Sequence, residues 1–256
     1  MQSLWGETAM ARLICLVFGG IAYLIFFATF LYLVAFVGDL PWVPHTIDRR
    51  AGEAALGPAV ATDVILIALF GLQHSVMARA GFKAGWTRIV PEPIERSTYV
   101  LFTTVALNLM FILWQPLPGV VWDAGNGATA VILWALFALG WLIVLTSTFL
   151  INHFELFGLK QVWAHARGAA AQSPEFRQPL FYRFVRHPIY SGFTLAFWAT
   201  PQMTRGHLLF ALGMTLYILI AIQFEERDLT RMFGKAYEDY RTRVGMLAPR
   251  FRSGKP

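Results

Sequence analysis

The sequence predicts an all-α integral membrane protein of about five to six transmembrane helices, ending in a helical hairpin and an amphipathic cytoplasmic helix. Three observations carry that expectation. The 256 residues are 57% hydrophobic and 14% charged, with a mean hydropathy of +0.53, whereas soluble proteins average roughly 45–50% apolar and about 25% charged. The apolar residues gather into runs of about the 20 residues that cross a hydrocarbon core of about 30 Å. The basic residues lie between those runs, in the loops. A water-soluble fold could not bury so much apolar side chain, and one membrane domain over 1–256 is the natural count.

Leu13–Val37 carries no charge, and its 25 residues would reach about 37 Å as a helix. It is the first expected span. The next are Pro58–Met77, Ser97–Trp114 and Thr129–Ile151, the last two free of charge and bounded by loops rich in proline and glycine. The final apolar stretch, Pro188–Phe224, is interrupted by Pro201, Arg205 and Gly206, so it reads as a tight hairpin of one short and one longer helix. Beyond it Leu229, Met232, Phe233, Ala236, Tyr237, Tyr240 and Val244 recur at helical spacing with charged residues between them. That pattern is an amphipathic helix, laid on the membrane surface or over the cytoplasmic mouth of the protein.

Basic residues assign the orientation, because basic loops resist translocation. Arg12, four residues from Arg79 to Arg96, five from Lys160 to Arg186 and eight from Arg227 to Lys255 put 18 on one side, against Arg49, Arg50 and Arg205 on the other. An even number of crossings in the inner membrane, with both termini and loop 152–187 cytoplasmic, satisfies that partition. The net charge of +6 follows from the same loops, so no nucleic-acid partner is expected. The single cysteine, Cys15, lies in the first apolar run and excludes a disulfide framework or a thiolate metal site. That run is also too long for a signal-peptide core and lacks a small-residue cleavage site, so it is expected to remain in the mature protein. The six histidines show no HxxxH or HExxH spacing, so no metal is expected, and no Gly-rich phosphate loop, GxSxG elbow or soluble dinucleotide fingerprint occurs.

Three clusters exceed what topology requires. Tyr182–Tyr190, YRFVRHPIY, sets Arg183, Arg186, His187 and two tyrosines at the cytoplasmic entry of the hairpin. Glu225, Glu226, Arg227 and Asp228 stand at its exit, where the positive-inside rule asks for no acid and a helix terminus would disfavour one. Two antiparallel segments would return Glu225 beside His187 and Tyr190. The third cluster, Asn152–Glu155 followed by FGLKQ to Gln161, lies where the fourth span leaves the membrane. With His74 and Asp63 in the second span, its His153 and Glu155 are ionisable groups in an expensive place. Positive-inside anchoring, interfacial tyrosine and hydrogen-bonded structural histidine account for many such residues singly. The residues alone therefore define a site for an anionic or zwitterionic cytosolic ligand, and an NADPH or phospholipid-headgroup site would suit them equally.

RHPIYSGF, Arg186–Phe193, then QFEERDL, Gln223–Leu229, and FGKAYEDYRTRVGMLAP, Phe233–Pro249, resemble the C-terminal half of the isoprenylcysteine carboxyl methyltransferase and phospholipid methyltransferase superfamily. NHFELFGLKQ, Asn152–Gln161, and the extra N-terminal spans resemble its nurim-like branch, and within it the bacterial methanethiol S-methyltransferases. The resemblance implies an S-adenosylmethionine-dependent methyltransferase, with N-terminal spans over 13–151 and a cofactor-binding half over 152–256. It implies a cofactor pocket lined by Tyr182, Arg186, His187, Pro188, Ile189 and Tyr190, with Gln161 upstream and Glu225, beside Glu226, gripping the amino-acid end. Where the prenylcysteine enzymes hold a substrate carboxylate with arginine, this chain has Ala221. A small thiol, methanethiol giving dimethyl sulfide, is therefore the expected acceptor, with His153, Glu155, His74 and Tyr190 as candidate bases. The rival expectations are a lipid or quinone-like acceptor, a sterol-reductase-like enzyme using NADPH, and a nurim-like protein without catalysis.

Overall fold

The computed structural model describes residues 8–49, 55–169 and 176–250; Arg50, Arg252 and Lys255 of the charge partition lie outside them. Among the described residues the protein is helical apart from one short ribbon. Five helices are long and apolar enough to cross a membrane: α1 Ala9–Val37, α2 Leu56–Met77, α4 Glu92–Leu113, α5 Ala128–Ile151 and α9 Arg205–Phe233. A short α3, Ala80–Trp86, follows α2 in what the sequence presents as a loop. The chain forms two compact units, each drawn from two stretches of sequence. The first holds the described residues up to Gly119 and those of 152–173; the second holds 120–151 and the described residues from 176 onward.

In the first unit α1 starts four residues before the expected Leu13, because the Thr8 hydroxyl accepts from the Ala11 amide at 3.2 Å and caps it. Helix α1 packs on α4 and on α7, Leu159–Ala166, which follows the single turn α6, His153–Leu156. A Cβ on Gly19 would lie 2.7 Å from a Val162 methyl, so the small residue lets α1 and α7 touch. Gly158 is more constrained: its φ is +89°, and a Cβ there would meet the Ser97 amide at 2.8 Å. The loop after α1 turns back onto the protein, with Trp114 Nε1 donating to the Ile47 carbonyl at 3.0 Å.

In the second unit α5 packs along α8, Pro188–Trp198. The approach is backbone to backbone, since a Cβ on Gly192 would stand 2.7 Å from the Gly140 carbonyl oxygen. Helix α8 has 11 residues and so rises about 16 Å. The chain then turns at Ala199 and bends at Pro201, and β2, Gln202–Thr204, pairs antiparallel with β1, Val120–Asp123. The periodicity signals neither strand. The non-helical backbone between α8 and α9 finds partners. Trp122 Nε1 donates to the Thr200 carbonyl at 3.1 Å, the Ala124 amide donates to the Pro201 carbonyl at 2.9 Å, and His207 Nε2 lies 2.9 Å from the Phe197 carbonyl.

Helix α9 packs on α8 and runs without a break past Glu225 and Glu226 to Phe233. The two carboxylates thus lie inside a helix, away from the terminus where the helix dipole would oppose them. Gly234, at φ +54°, separates α9 from α10, Lys235–Arg243. The expected apolar stripe divides there. Tyr237, Tyr240 and Val244 are buried against Phe176, Leu229 and Phe233, while Met232 is exposed. The α10 face that carries Tyr237 and Tyr240 is therefore part of the protein interior.

Candidate active site

At one end of the second unit the chain passes a 3₁₀ turn, Leu180–Arg183, and enters α8 through His187, with Pro188 in the first helical turn. Proline suits that position because its missing N–H would have no helical partner anyway. The entry is held by the segment after α10. The Arg186 amide donates to the Gly245 carbonyl at 2.8 Å, the His187 amide to Met246 at 3.2 Å, and the Ser191 hydroxyl to Leu247 at 2.8 Å.

Around this entry the two adjacent glutamates take different positions. Glu226 is buried, and its carboxylate receives Arg186 Nε at 2.7 Å, His187 Nε2 at 3.1 Å and Arg241 Nε at 3.3 Å. Arg186 is committed further, since its Nη1 donates to the carbonyls of Arg241 and Val244. Glu225 is half-exposed, lies 3.7 Å from His187 Nδ1 and is hydrogen-bonded to the Tyr190 side chain. His187 therefore faces a carboxylate from each ring nitrogen. Its own burial favours the neutral ring, but the hydrogen bonds and charges of Glu225 and Glu226 outweigh burial and raise its pKa.

The tyrosines complete the wall. Tyr182 is buried, and its carbonyl accepts from the Tyr240 hydroxyl at 2.6 Å. Burial first, and then the Glu225 charge, push the Tyr182 phenol far above its ordinary range. Burial pushes Tyr240 up to about 12 despite the nearby Arg186. All of these phenols are neutral hydrogen-bonding groups. Pro188 is buried and Ile189 half-buried beside them.

The structure brings Tyr182, Arg186, His187, Pro188, Ile189, Tyr190, Glu225 and Glu226 into the same unit, and holds the remaining sequence candidates in the first. There His153 is buried, with Nε2 2.8 Å from the Tyr23 hydroxyl and its ring against Phe157. Glu155 accepts from Lys160 Nζ at 2.9 Å and from the Asn152 amide group, and its carbonyl accepts from Gln161 Nε2 at 3.1 Å. His74 contacts the Tyr99 and Thr103 hydroxyls. Asp63 accepts the Gln115 amide at 2.8 Å, which satisfies backbone just beyond α4. No group of three metal-ligating side chains occurs among the described residues. Sequence reasoning missed Arg241, the buried Tyr237 and the strap 244–247. The available signal was the spacing of Tyr237 and Arg241, which are neighbours on one helical face.

Residues 128–236, which include Arg186, His187, Glu225 and Glu226, match the phospholipid methyltransferase family. The chain is 55% identical to the methanethiol S-methyltransferase of Mycobacterium tuberculosis, over 94% of this chain and 98% of that one. It is 52% identical to methanethiol S-methyltransferase 1 of Bradyrhizobium diazoefficiens, over 94% of this chain and 84% of that one. Human nurim is 32% identical over 73% of this chain and 72% of its own. No solved structure matches. Identity at this level over nearly the whole of both chains makes this protein an enzyme of the bacterial methanethiol S-methyltransferase family.

Proposed function

We propose that this chain transfers the methyl group of S-adenosylmethionine to methanethiol, giving dimethyl sulfide, at a cytosol-facing site bounded by Tyr182, His187, Pro188, Ile189, Tyr190 and Glu225. The observation that carries the reading is the contrast between neighbouring carboxylates. Arg186, His187 and Arg241 saturate Glu226, whereas Glu225 keeps a half-exposed carboxylate beside Tyr190. That residue set fits the cofactor. Glu225 suits an ammonium group through a charge-assisted hydrogen bond, and aromatic faces suit adenine and a sulfonium. When bound, S-adenosylmethionine supplies a methyl group already activated towards a nucleophile.

The protein's part is then positioning, which in-line geometry can make worth several kcal/mol. Glu226, Arg186 and the strap 244–247 hold the α8 entry, and His187 orients Glu225. Ala221, buried one turn before Glu225, offers a carboxylate acceptor no cation, which supports a small uncharged thiol. The names of the relatives support methanethiol in particular. A cysteine-like thiol titrates near about 8.5 and a simple alkyl thiol higher, so the proton must be removed. His153, Glu155, His74 and Tyr190 are the candidate acceptors for it.

Both termini and loop 152–187 are proposed to be cytoplasmic in the inner membrane. The 18-to-3 partition of basic residues supports this. A sixth crossing through α8 and the segment 199–204 would restore an even count.

Headspace analysis over purified protein supplied with S-adenosylmethionine and methanethiol tests the reaction. Dimethyl sulfide is expected. Its absence, together with methylation of a lipid or carboxylate acceptor, would overturn the thiol assignment.

A further inference from the structure

Tyr237 lies on α10 one turn before Arg241, so the two share the face that Arg241 turns towards Glu226. The residue is 1% exposed and packs on Phe176 and Tyr240. Its hydroxyl nevertheless has no hydrogen-bond partner among the described residues. The contrast with Tyr240, on the same helix and donating to the Tyr182 carbonyl, is informative. A buried hydroxyl left without a partner is a standing cost to the fold, and a site is where such a group finds a use.

Several donors around the same cluster are already committed. Arg186 Nε serves Glu226 and its Nη1 serves two carbonyls. The His187 ring nitrogens face Glu226 and Glu225, and the amides of Arg186 and His187 bind Gly245 and Met246. Arg186 and Arg241 balance the two carboxylates, and protonation of His187, which they favour, adds positive charge for the anionic end of a ligand. The Tyr237 hydroxyl lies in the fields of Glu226, Arg186 and Glu225. S-Adenosylmethionine carries both an ammonium, which Glu225 suits, and a carboxylate, which needs a donor.

We infer that Tyr237 is a cofactor-binding residue whose buried hydroxyl donates to the α-carboxylate of S-adenosylmethionine. The assignment rests on the reading of the His187–Glu225 region as the cofactor site. It is tested with the full chain in detergent, using S-adenosylhomocysteine and 5′-methylthioadenosine, which lacks the amino-acid end. Tyr237→Phe should weaken S-adenosylhomocysteine about ten- to hundredfold, the effect of deleting a hydrogen bond to a charged group. Affinity for methylthioadenosine should not change, and the ligand-free melting temperature should equal or exceed that of the wild type. Unchanged S-adenosylhomocysteine affinity, equal weakening of both ligands, or a lower ligand-free melting temperature would each overturn the assignment. Wild-type protein that binds no S-adenosylhomocysteine would instead overturn the cofactor site itself.

Discussion

Buried histidines meet opposite company in the two units. In the first, His153 pairs with the Tyr23 hydroxyl, a neutral partner, and burial lowers its pKa. In the second, His187 is equally buried, but Glu225 and Glu226 face its two nitrogens and raise its pKa. Burial acts the same way at both residues. The partner decides the direction of the shift, so one unit disfavours the imidazolium and the other favours it beside two carboxylates.

The sharpest way to break the contrast is to remove the buried carboxylate. Glu226→Ala leaves Arg186 buried without its counterion, a kind of loss that costs about 3–5 kcal/mol. Denaturant unfolding in detergent should show a drop of that order, and a near-neutral result would mean that Glu226 is not the anchor. Glu225→Ala should leave stability nearly intact and weaken S-adenosylmethionine binding, by on the order of 2–5 kcal/mol for a contact in a partly desolvated pocket. Titration calorimetry measures it. His187→Ala should weaken the same binding step.

The pH dependence tests the two histidines directly. His187 has a raised folded pKa, so it binds more protons folded than unfolded. Its stabilisation is fully present below the unfolded value of about 6.5 and is lost as pH rises through the folded pKa. His153 has a lowered folded pKa, so its contribution is present above about 6.5 and declines as pH falls through the folded value. Unfolding midpoints measured across that range should lose the alkaline decline in His187→Gln and the acid decline in His153→Gln. The smallest effect expected is that of Tyr23→Phe, about 1 kcal/mol for one hydrogen bond, read by thermal unfolding with cofactor affinity unchanged. The rate should rise with pH because the thiolate is the reacting form, and if His153 is the base, His153→Gln should abolish that rise while sparing cofactor affinity.

Much of the helix plan was legible because a membrane span is written locally. The charge-free run from Leu13 and that from Thr129 appear as α1 and α5 with starts shifted by only a few residues. The ribbon β1–β2 was not legible, since Gln202–Thr204 has no alternation of its own and owes its strand to Val120–Asp123. The grouping of the helices into two compact units was not legible either, because apolar length does not say which helices pack together. At the site, His187, Tyr190 and the glutamate pair stood out as polar density at two ends of one hairpin. Arg241 and Tyr237 did not, because Arg241 looks like any solvated charge and Tyr237 like any residue of an amphipathic helix's apolar stripe.

By itself the sequence determined the membrane class, the long apolar helices and the candidate carboxylates, all properties of short windows in which hydrophobic run length and charge act directly. Only the tertiary structure decided that Glu226 is buried among Arg186, His187 and Arg241 while its neighbour Glu225 stays half-exposed. Adjacent residues on a helix point about 100° apart, so which one meets the cations depends on where α10 and the strap 244–247 fold back. That return is set by packing between segments far apart in the chain.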